Sequence, residues 1–238
     1  MRKDSYSTIK FNSALAIINS VEYRFPPPLE IQVAYSEEEI LPLIRKLEGY
    51  SYEGKVALGW LSYEGSWVFD PVYPRRPSLF HNMPYACFAI FDSYSTSPVD
   101  YISTERSEKA VFPEWVPLIT KEEYIQGVLT IKDNIGRGNV YQVNFTFPFE
   151  SEFEGDLHRL FRRLCFAQGK GYFIFLDTPP FAVLSISPEL FFCYERNKLV
   201  VRPMKGTRPR GRSIEEDIFL RKELENSEKE KAENLMIV

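Results

Sequence analysis

Cysteine, histidine and glycine-rich loops are all scarce in this sequence, and each scarcity removes a class of chemistry. The 238 residues hold three cysteines and two histidines. Cys87, Cys165 and Cys193 stand far apart, with no pair at metal-ligand or redox spacing, so they read as reduced, partly buried thiols. No Gly-rich loop follows any expected strand, which argues against a nucleotide-phosphate cradle. Neither sign of charge dominates: 29 Lys and Arg against 33 Asp and Glu leave a net charge of -4. That balance argues against a general nucleic-acid or anionic-membrane binder, and any anionic ligand must be met by a local basic cluster. No apolar run is long enough to span a bilayer, and Met1–Ser5 leads into no signal-peptide core. The expected location is the cytoplasm, and the triplet Asn144-Phe145-Thr146 reads as incidental rather than as a glycosylation site.

What is present is ordinary globular composition. Hydrophobic residues make up 44% and charged residues 26%, enough apolar surface for a folded core rather than a disordered chain. The length suffices for one large domain or two small ones. The polar, charged stretch from Thr96 to Pro117 is the natural junction, giving an N-terminal subdomain over 1–118 and a second domain over 119–238. Ser36 with Glu39 predicts a capped helix ending near Gly49, and Thr120 with Glu123 predicts another that stops at Gly136-Arg137-Gly138. Residues 56–63, 85–91, 173–176, 181–187, 190–194 and 199–202 read as strands. Alternation over residues 141–149, with Tyr141, Val143, Phe145, Phe147 and Phe149 on one side, predicts a further strand. Asp156 and Ser227 each open a helix. Strands with only occasional helices favour an α+β fold with largely antiparallel sheets and flanking helices. The apolar run Leu235-Met236-Ile237-Val238 makes a poor natural terminus, so the fold is expected to be incomplete at its C-terminus.

Three places could carry chemistry. Pro203 to Arg212 is a basic loop punctuated by glycine and proline. It reads as a solvated loop, as a phosphate contact, or as the seat of a reactive lysine, Lys205, whose amine burial or the nearby Arg208 cation could keep neutral. Glu189 lies in a Pro-directed turn after one strand, either a plain surface charge or an acid beside the strand hairpin that leads to Lys205. Glu230 and Glu233 share a helix face, either as solvated carboxylates or as oxygen ligands for Mg²⁺. His158, beside Arg159 on an amphipathic helix, reads as a surface residue.

Four segments occur together in the order and spacing of a known family. Tyr141-Gln142-Val143-Asn144, Ser185-Ile186-Ser187-Pro188-Glu189-Leu190-Phe191, Lys205-Gly206-Thr207-Arg208-Pro209-Arg210-Gly211 and Ala232-Glu233-Asn234-Leu235-Met236-Ile237-Val238 resemble the chorismate-binding enzymes. Gly59-Trp60-Leu61-Ser62-Tyr63-Glu64-Gly65 resembles the N-terminal part of the aminodeoxychorismate synthase members, component I of para-aminobenzoate synthesis. Relatives that add water to chorismate place a lysine base where this chain has Gln142. Anthranilate synthases typically carry alanine where it has Lys205. The pair Gln142 and Lys205 is thus similar to the aminodeoxychorismate synthase combination.

That resemblance implies a transferase of the folate pathway that converts chorismate and ammonia to 4-amino-4-deoxychorismate. Lys205 would be the nucleophile, Glu189 the acid/base and Glu233 a Mg²⁺ ligand, with Gln142, Asn144, Gly206 and Thr207 against the substrate. Ammonia would come from a separate glutamine amidotransferase subunit. The family's Pro-Tyr segment is replaced by Gln168-Gly169-Lys170-Gly171-Tyr172-Phe173, so a tryptophan site is not expected. The family's second Mg²⁺ carboxylate, its catalytic histidine and its substrate-gripping basic residues lie beyond the last matching motif, so the chain alone is expected to be inactive. An anthranilate synthase and a non-catalytic binding remnant are the alternatives.

Overall fold

Ser13–Ile18 explains the centre of the molecule. Its uncharged sequence alternates small Ala14 and Ala16 with large Leu15 and Ile17, and all four are buried. A strand apolar on both sides belongs between two layers. The computed structural model describes residues 9–70, 72, 80, 83–99 and 114–237. Within the expected junction, the charged stretch Ser103–Lys109 and Pro113 lie outside the described residues, as does Val238.

In chain order the strands are β1 (Ser13–Ile18), β2 (Val21–Arg24), β3 (Glu30–Ala34), β4 (Val56–Leu61), β5 (Ala86–Phe91) and β6 (Ser95–Pro98). They continue with β7 (Val116–Pro117), β8 (Phe149–Glu150), β9 (Tyr172–Thr178), β10 (Phe181–Ser187), β11 (Leu190–Glu195) and β12 (Lys198–Arg202). The helices are α1 (Glu37–Tyr52), α2 (Lys121–Gly136), α3 (Leu157–Gln168), α4 (Ile214–Asn226) and α5 (Glu228–Ile237). Two compact units result, one of residues 1–104 and 161–238, the other of residues 105–160.

In the first unit a five-stranded sheet runs β10-β9-β1-β2-β6 and a three-stranded sheet runs β3-β5-β4, every pair antiparallel. The larger sheet is assembled from strands on both sides of residue 118. Asn19 and Ser20, at φ 52° and 65°, make the tight turn from β1 to β2. Two successive residues of positive φ match the right-handed twist of a hairpin. Leu15 and Ile17 pair with Phe175 and Phe173 across the β1–β9 ladder and share one face. Phe161 and Cys165 of α3, one helical turn apart and buried, lie on that face, with the Phe161 and Phe175 rings 5.5 Å apart. Glu22 of β2 sits opposite Ile17, only 1% exposed. Its carboxylate accepts from Arg162 Nη2 at 2.9 and 2.8 Å and pairs with Arg24.

The other face of this sheet meets the three-stranded one. Ala14 and Leu176 pack with Ala89 and Phe91 of β5, closed by Phe11, Phe25, Leu58 and Trp60. The alternate residues of β5 turn away: Ala86 and Phe88 join Ala34, Ile40 and Leu43 under α1. The order α3, sheet, sheet, α1 is thus written in strand alternation.

The antiparallel sheets with flanking helices agree with the α+β expectation, but several elements differ from it. The hairpin β1–β2, β3, β6 and α4 were not foreseen. Helix α1 runs past Gly49 to Tyr52, because the left-handed residue that follows it is Gly54, at φ 74°. In the second unit, α2 starts with the expected reciprocal cap: Thr120 Oγ1 accepts from Glu123 N–H at 3.1 Å, and Glu123 Oε2 accepts from Thr120 N–H at 2.7 Å. The strand expected over 141–149 is present only as Phe149–Glu150, paired with Val116–Pro117. Its aromatic alternation still operates, since Tyr124 of α2 stacks on Phe145 at 5.6 Å and meets Phe147 edge-on at 5.7 Å. An extended segment becomes a strand only where a neighbour pairs with it, and here the partner is two residues long. Among the described residues, no helix is long and apolar enough to cross a membrane.

Two outcomes are expected. Burial pushes the Cys87 and Cys165 thiols up to about 12, whereas Cys193 is exposed. A disulfide-exchange reagent at neutral pH should titrate one thiol promptly and the other two only after unfolding. Replacing Arg162 by Met should cost about 3 kcal/mol by denaturant unfolding, since it strips the main partner from a buried carboxylate.

Candidate active site around Lys205

The site begins where β10 leaves the sheet. At Ser187 the chain turns through Pro188: Ser187 Oγ accepts from Glu189 N–H at 3.2 Å and donates to the Glu189 carbonyl at 2.9 Å. β11 and β12 then form a hairpin whose turn, Arg196-Asn197, takes φ 51° and 59°. The hairpin returns the chain to Pro203, beside its own start. Glu189 Oε1 accepts from the Met204 N–H at 2.7 Å, across 15 positions of sequence. The residue after Met204 is Lys205. The Glu189 carboxylate is therefore bonded to the backbone amide one residue before Lys205.

The loop leaving Lys205 is pinned to the two C-terminal helices. Arg210 donates from Nε and Nη2 to the two oxygens of Asp217, each at 2.7 Å, and Gly211 N–H donates to the same carboxylate at 2.9 Å. These donors hold the Asp217 carboxyl down at about 2, the Arg210 fork contributing most and the Gly211 amide next. Arg208 donates from Nε to Glu223 of α4 at 2.9 Å, and from Nη1 to the Thr207 carbonyl at 2.9 Å and to Glu230 of α5 at 3.5 Å. Its charge is matched by two carboxylates, so it is not a free cation beside the Lys205 amine. Asn234 Nδ2 donates to the Pro203 carbonyl at 3.1 Å. Gly206, at φ 74°, leaves room that a β-carbon would take from the Glu230 carboxylate.

Glu189, Lys205, Gly206 and Thr207 are thus gathered within the first unit, with α5 alongside. Lys205 is half-buried and has no carboxylate partner among the described residues. Glu233 is partly exposed, with Lys229 at 3.9 Å. Glu230, grouped with Glu233 by helical spacing, lies against Gly206 instead of standing in solvent. Gln142 and Asn144 belong to the second unit, where Gln142 Oε1 is buried without a hydrogen-bond partner and Asn144 is exposed. Among the described residues no three His, Cys, Asp or Glu side chains converge as a complete metal cage. Mg²⁺ ordinarily takes one or two carboxylates together with waters and substrate oxygens, which Glu233 and its neighbour Glu230 can supply. An open cleft of about 340 Å³ adjoins Glu189, lined also by Ser187, Phe191, Val201, Pro203 and Ile237.

The anchors Asp217 and Glu223 escaped sequence reading because their helix, α4, did. Its signal was present: Ser213 precedes Glu216 by three, and Ser213 Oγ accepts from Glu216 N–H at 3.2 Å.

The profile of the chorismate binding enzymes matches residues 32–238. The chain belongs to the chorismate-binding enzyme family. Among curated relatives, anthranilate synthase component 1 of Aquifex aeolicus is 38% identical over 127 residues, covering 53% of this chain and 26% of that protein. Aminodeoxychorismate synthase component 1 of Klebsiella aerogenes is 35% identical over 165 residues, or 69% and 35% of the two chains. The Escherichia coli protein of that name is 32% identical over 176 residues, or 74% and 37%. The matches thus span roughly a quarter to three-eighths of these relatives. A solved Bacillus anthracis structure, described as a 2,3-dihydroxybenzoate-specific isochorismate synthase, superposes with a TM-score of 0.63 at 17% identity. It covers 98% of this chain and 58% of its own, and supports the chorismate-binding fold.

The Asp217 anchor makes a pH prediction. Its folded carboxyl lies below the usual 3.8, so its contribution is complete above about 4 and is lost as pH falls through about 2. Thermal melts should place Asp217→Asn below the parent at pH 5, with the gap closing by pH 2.

Proposed function

We propose that this chain supplies the nucleophile and the acid/base of an aminodeoxychorismate synthase component I. The observation that supports the proposal is the Glu189–Met204 hydrogen bond, which ties a carboxylate to the backbone one residue before a lysine that has no carboxylate partner among the described residues. Sequence identity does not choose between the aminodeoxychorismate and anthranilate synthase relatives. The presence of Lys205 favours the former, because the family resemblance puts alanine at this position in typical anthranilate-forming members.

In the proposed sequence Lys205, as free amine, attacks C2 of chorismate. A new C–N bond forms at C2, both ring double bonds shift by one position towards C4, and the C4–O bond breaks. Glu189 gives its proton to the departing hydroxyl, which leaves as water, and takes the proton released by the lysine nitrogen. Ammonia then attacks C4 with the reverse shift and breaks the Lys205–C2 bond, Glu189 returning its proton to the departing lysine nitrogen and taking one from the new ammonium, which regenerates the amine and the acid. Glu189 Oε1 is held by the Met204 N–H, so Oε2 is the oxygen positioned for proton transfer. Glu233, with Glu230 on the same helix, would hold Mg²⁺, which supplies positive charge to a chorismate carboxylate when bound. Gln142, Asn144, Gly206 and Thr207 are proposed to line the substrate. A glutamine amidotransferase subunit is the proposed ammonia source, the product serves p-aminobenzoate and folate synthesis, and the cytoplasm is the proposed location.

The test follows products chromatographically when the full encoded protein is given chorismate, Mg²⁺ and ammonium. Formation of 4-amino-4-deoxychorismate is expected, falling by at least about 10³-fold in Lys205→Ala, as for loss of a covalent nucleophile. Glu189→Gln keeps an acceptor for Met204 N–H and should lower kcat with little change in KM. Anthranilate as the product would assign the alternative activity, and chorismate binding without turnover would leave a binding role. Undiminished synthesis by Lys205→Ala would refute the nucleophile assignment.

A further inference from the structure

We infer that Arg208 is a positioning residue, whose three-way bracket between α4, α5 and the loop's own backbone holds Lys205 in register with Glu189. The inference rests on the reading of Lys205 as nucleophile.

The loop from Pro203 to Gly211 has no strand or helix of its own to fix it. Its course is set by bonds at each end and one in the middle. The front end is tied by Met204 N–H to Glu189 and by the Pro203 carbonyl to Asn234. The back end is tied by Arg210 and Gly211 to Asp217. Between them lie Lys205, Gly206 and Thr207, and among the described residues the side chain that ties this stretch to the two C-terminal helices is that of Arg208. Its Nε reaches Glu223, while Nη1 serves both Glu230 and the Thr207 carbonyl. Glu230 in turn lies against the Gly206 backbone, so the carboxylate that Arg208 holds is also the wall behind the residue following Lys205. Three acceptors in different directions need the planar fork of a guanidinium. A lysine ammonium on a flexible stem carries the same charge but cannot reproduce that geometry.

Remote misplacement of a reacting group by about 1 Å can cost about 10²-fold in rate. The side chain of Arg208 is 26% exposed, whereas that of Arg210, at the back end, is 89% exposed. The better-enclosed of the two is the one nearer the nucleophile. A purely structural arginine at that place would affect stability, and a substrate-binding one would affect KM. A positioning residue affects kcat and the accessibility of the neighbouring amine.

Arg208→Gln and Arg208→Lys therefore form the test, made in the full encoded protein. Both should lower kcat by about 10²-fold with KM for chorismate changed by less than about twofold, and lysine should not rescue. A second readout needs no turnover: acetic anhydride labelling of Lys205, followed by peptide mass spectrometry against Lys198 and Lys222 as internal standards. The Lys205 rate should change severalfold in both variants while the standards hold. If Arg208→Gln does not fold, Glu223→Ala removes one arm at a half-exposed place and should lower kcat by about tenfold. Recovery of the parental kcat by Arg208→Lys, an unchanged Lys205 labelling rate, or a parental kcat in Glu223→Ala would each overturn the inference. Absence of aminodeoxychorismate from the parent protein would sink the nucleophile reading instead, and the labelling result would still decide whether Arg208 sets the lysine's position.

Discussion

The β1–β9 ladder is the constraint from which the rest follows. It joins Ser13 to Asp177 and Ile18 to Tyr172, and Asn12 reaches Asp177 across 165 positions of sequence. Closing so long a loop costs entropy that local contacts cannot repay, so the pairing persists only because both faces of the two strands are covered. One face lies under Phe161 and Cys165, the other against Ala89 and Phe91. Once β9 is fixed, β10 follows by a ladder that pairs all seven of its residues, and Ser187 is delivered at its end. The turn carrying Glu189 is thus placed by a core with which it shares no chemistry.

From that turn outward the control changes from packing to hydrogen bonds. The β11–β12 hairpin has no buried strand residues, and the loop beyond it has no regular structure. Its form comes from charged groups in matched geometry: Glu189 on a backbone amide, Asp217 on a guanidinium fork, Arg208 between two carboxylates. Charge-assisted bonds are directional where apolar burial is not. The nucleophile proposed at Lys205 would need such direction. Gly206 fits the same logic, since its backbone accepts a conformation and a neighbour that any side chain would refuse.

Much of this was legible in sequence. β10 was read to the residue, β4, β5, β9, β11 and β12 within one to three, and the capping pairs at Ser36 and Thr120, with Asp156 as an opening residue, announced their helices. The misses have physical causes. β1 was overlooked because a strand buried on both faces does not alternate, and β3 and β6 have too little apolar pattern to stand out. The strand expected over 141–149 had the right alternation and too short a partner. At the site, Glu189, Lys205 and the carboxylates of α5 were singled out by type and position, whereas Asp217 and Glu223 were not, because an anchor is defined only by what it holds.

The sequence by itself determined most of the element types and the family, because periodicity and motif spacing are local properties that survive without coordinates. Only the tertiary structure decided that Glu189 bonds the amide beside Lys205, that Arg208 is matched by carboxylates rather than free, and that Glu230 backs Gly206. Those facts depend on a hairpin turning at Arg196-Asn197 and on a sheet closed across the whole chain, and distances through space between residues far apart in sequence are not encoded in any one segment.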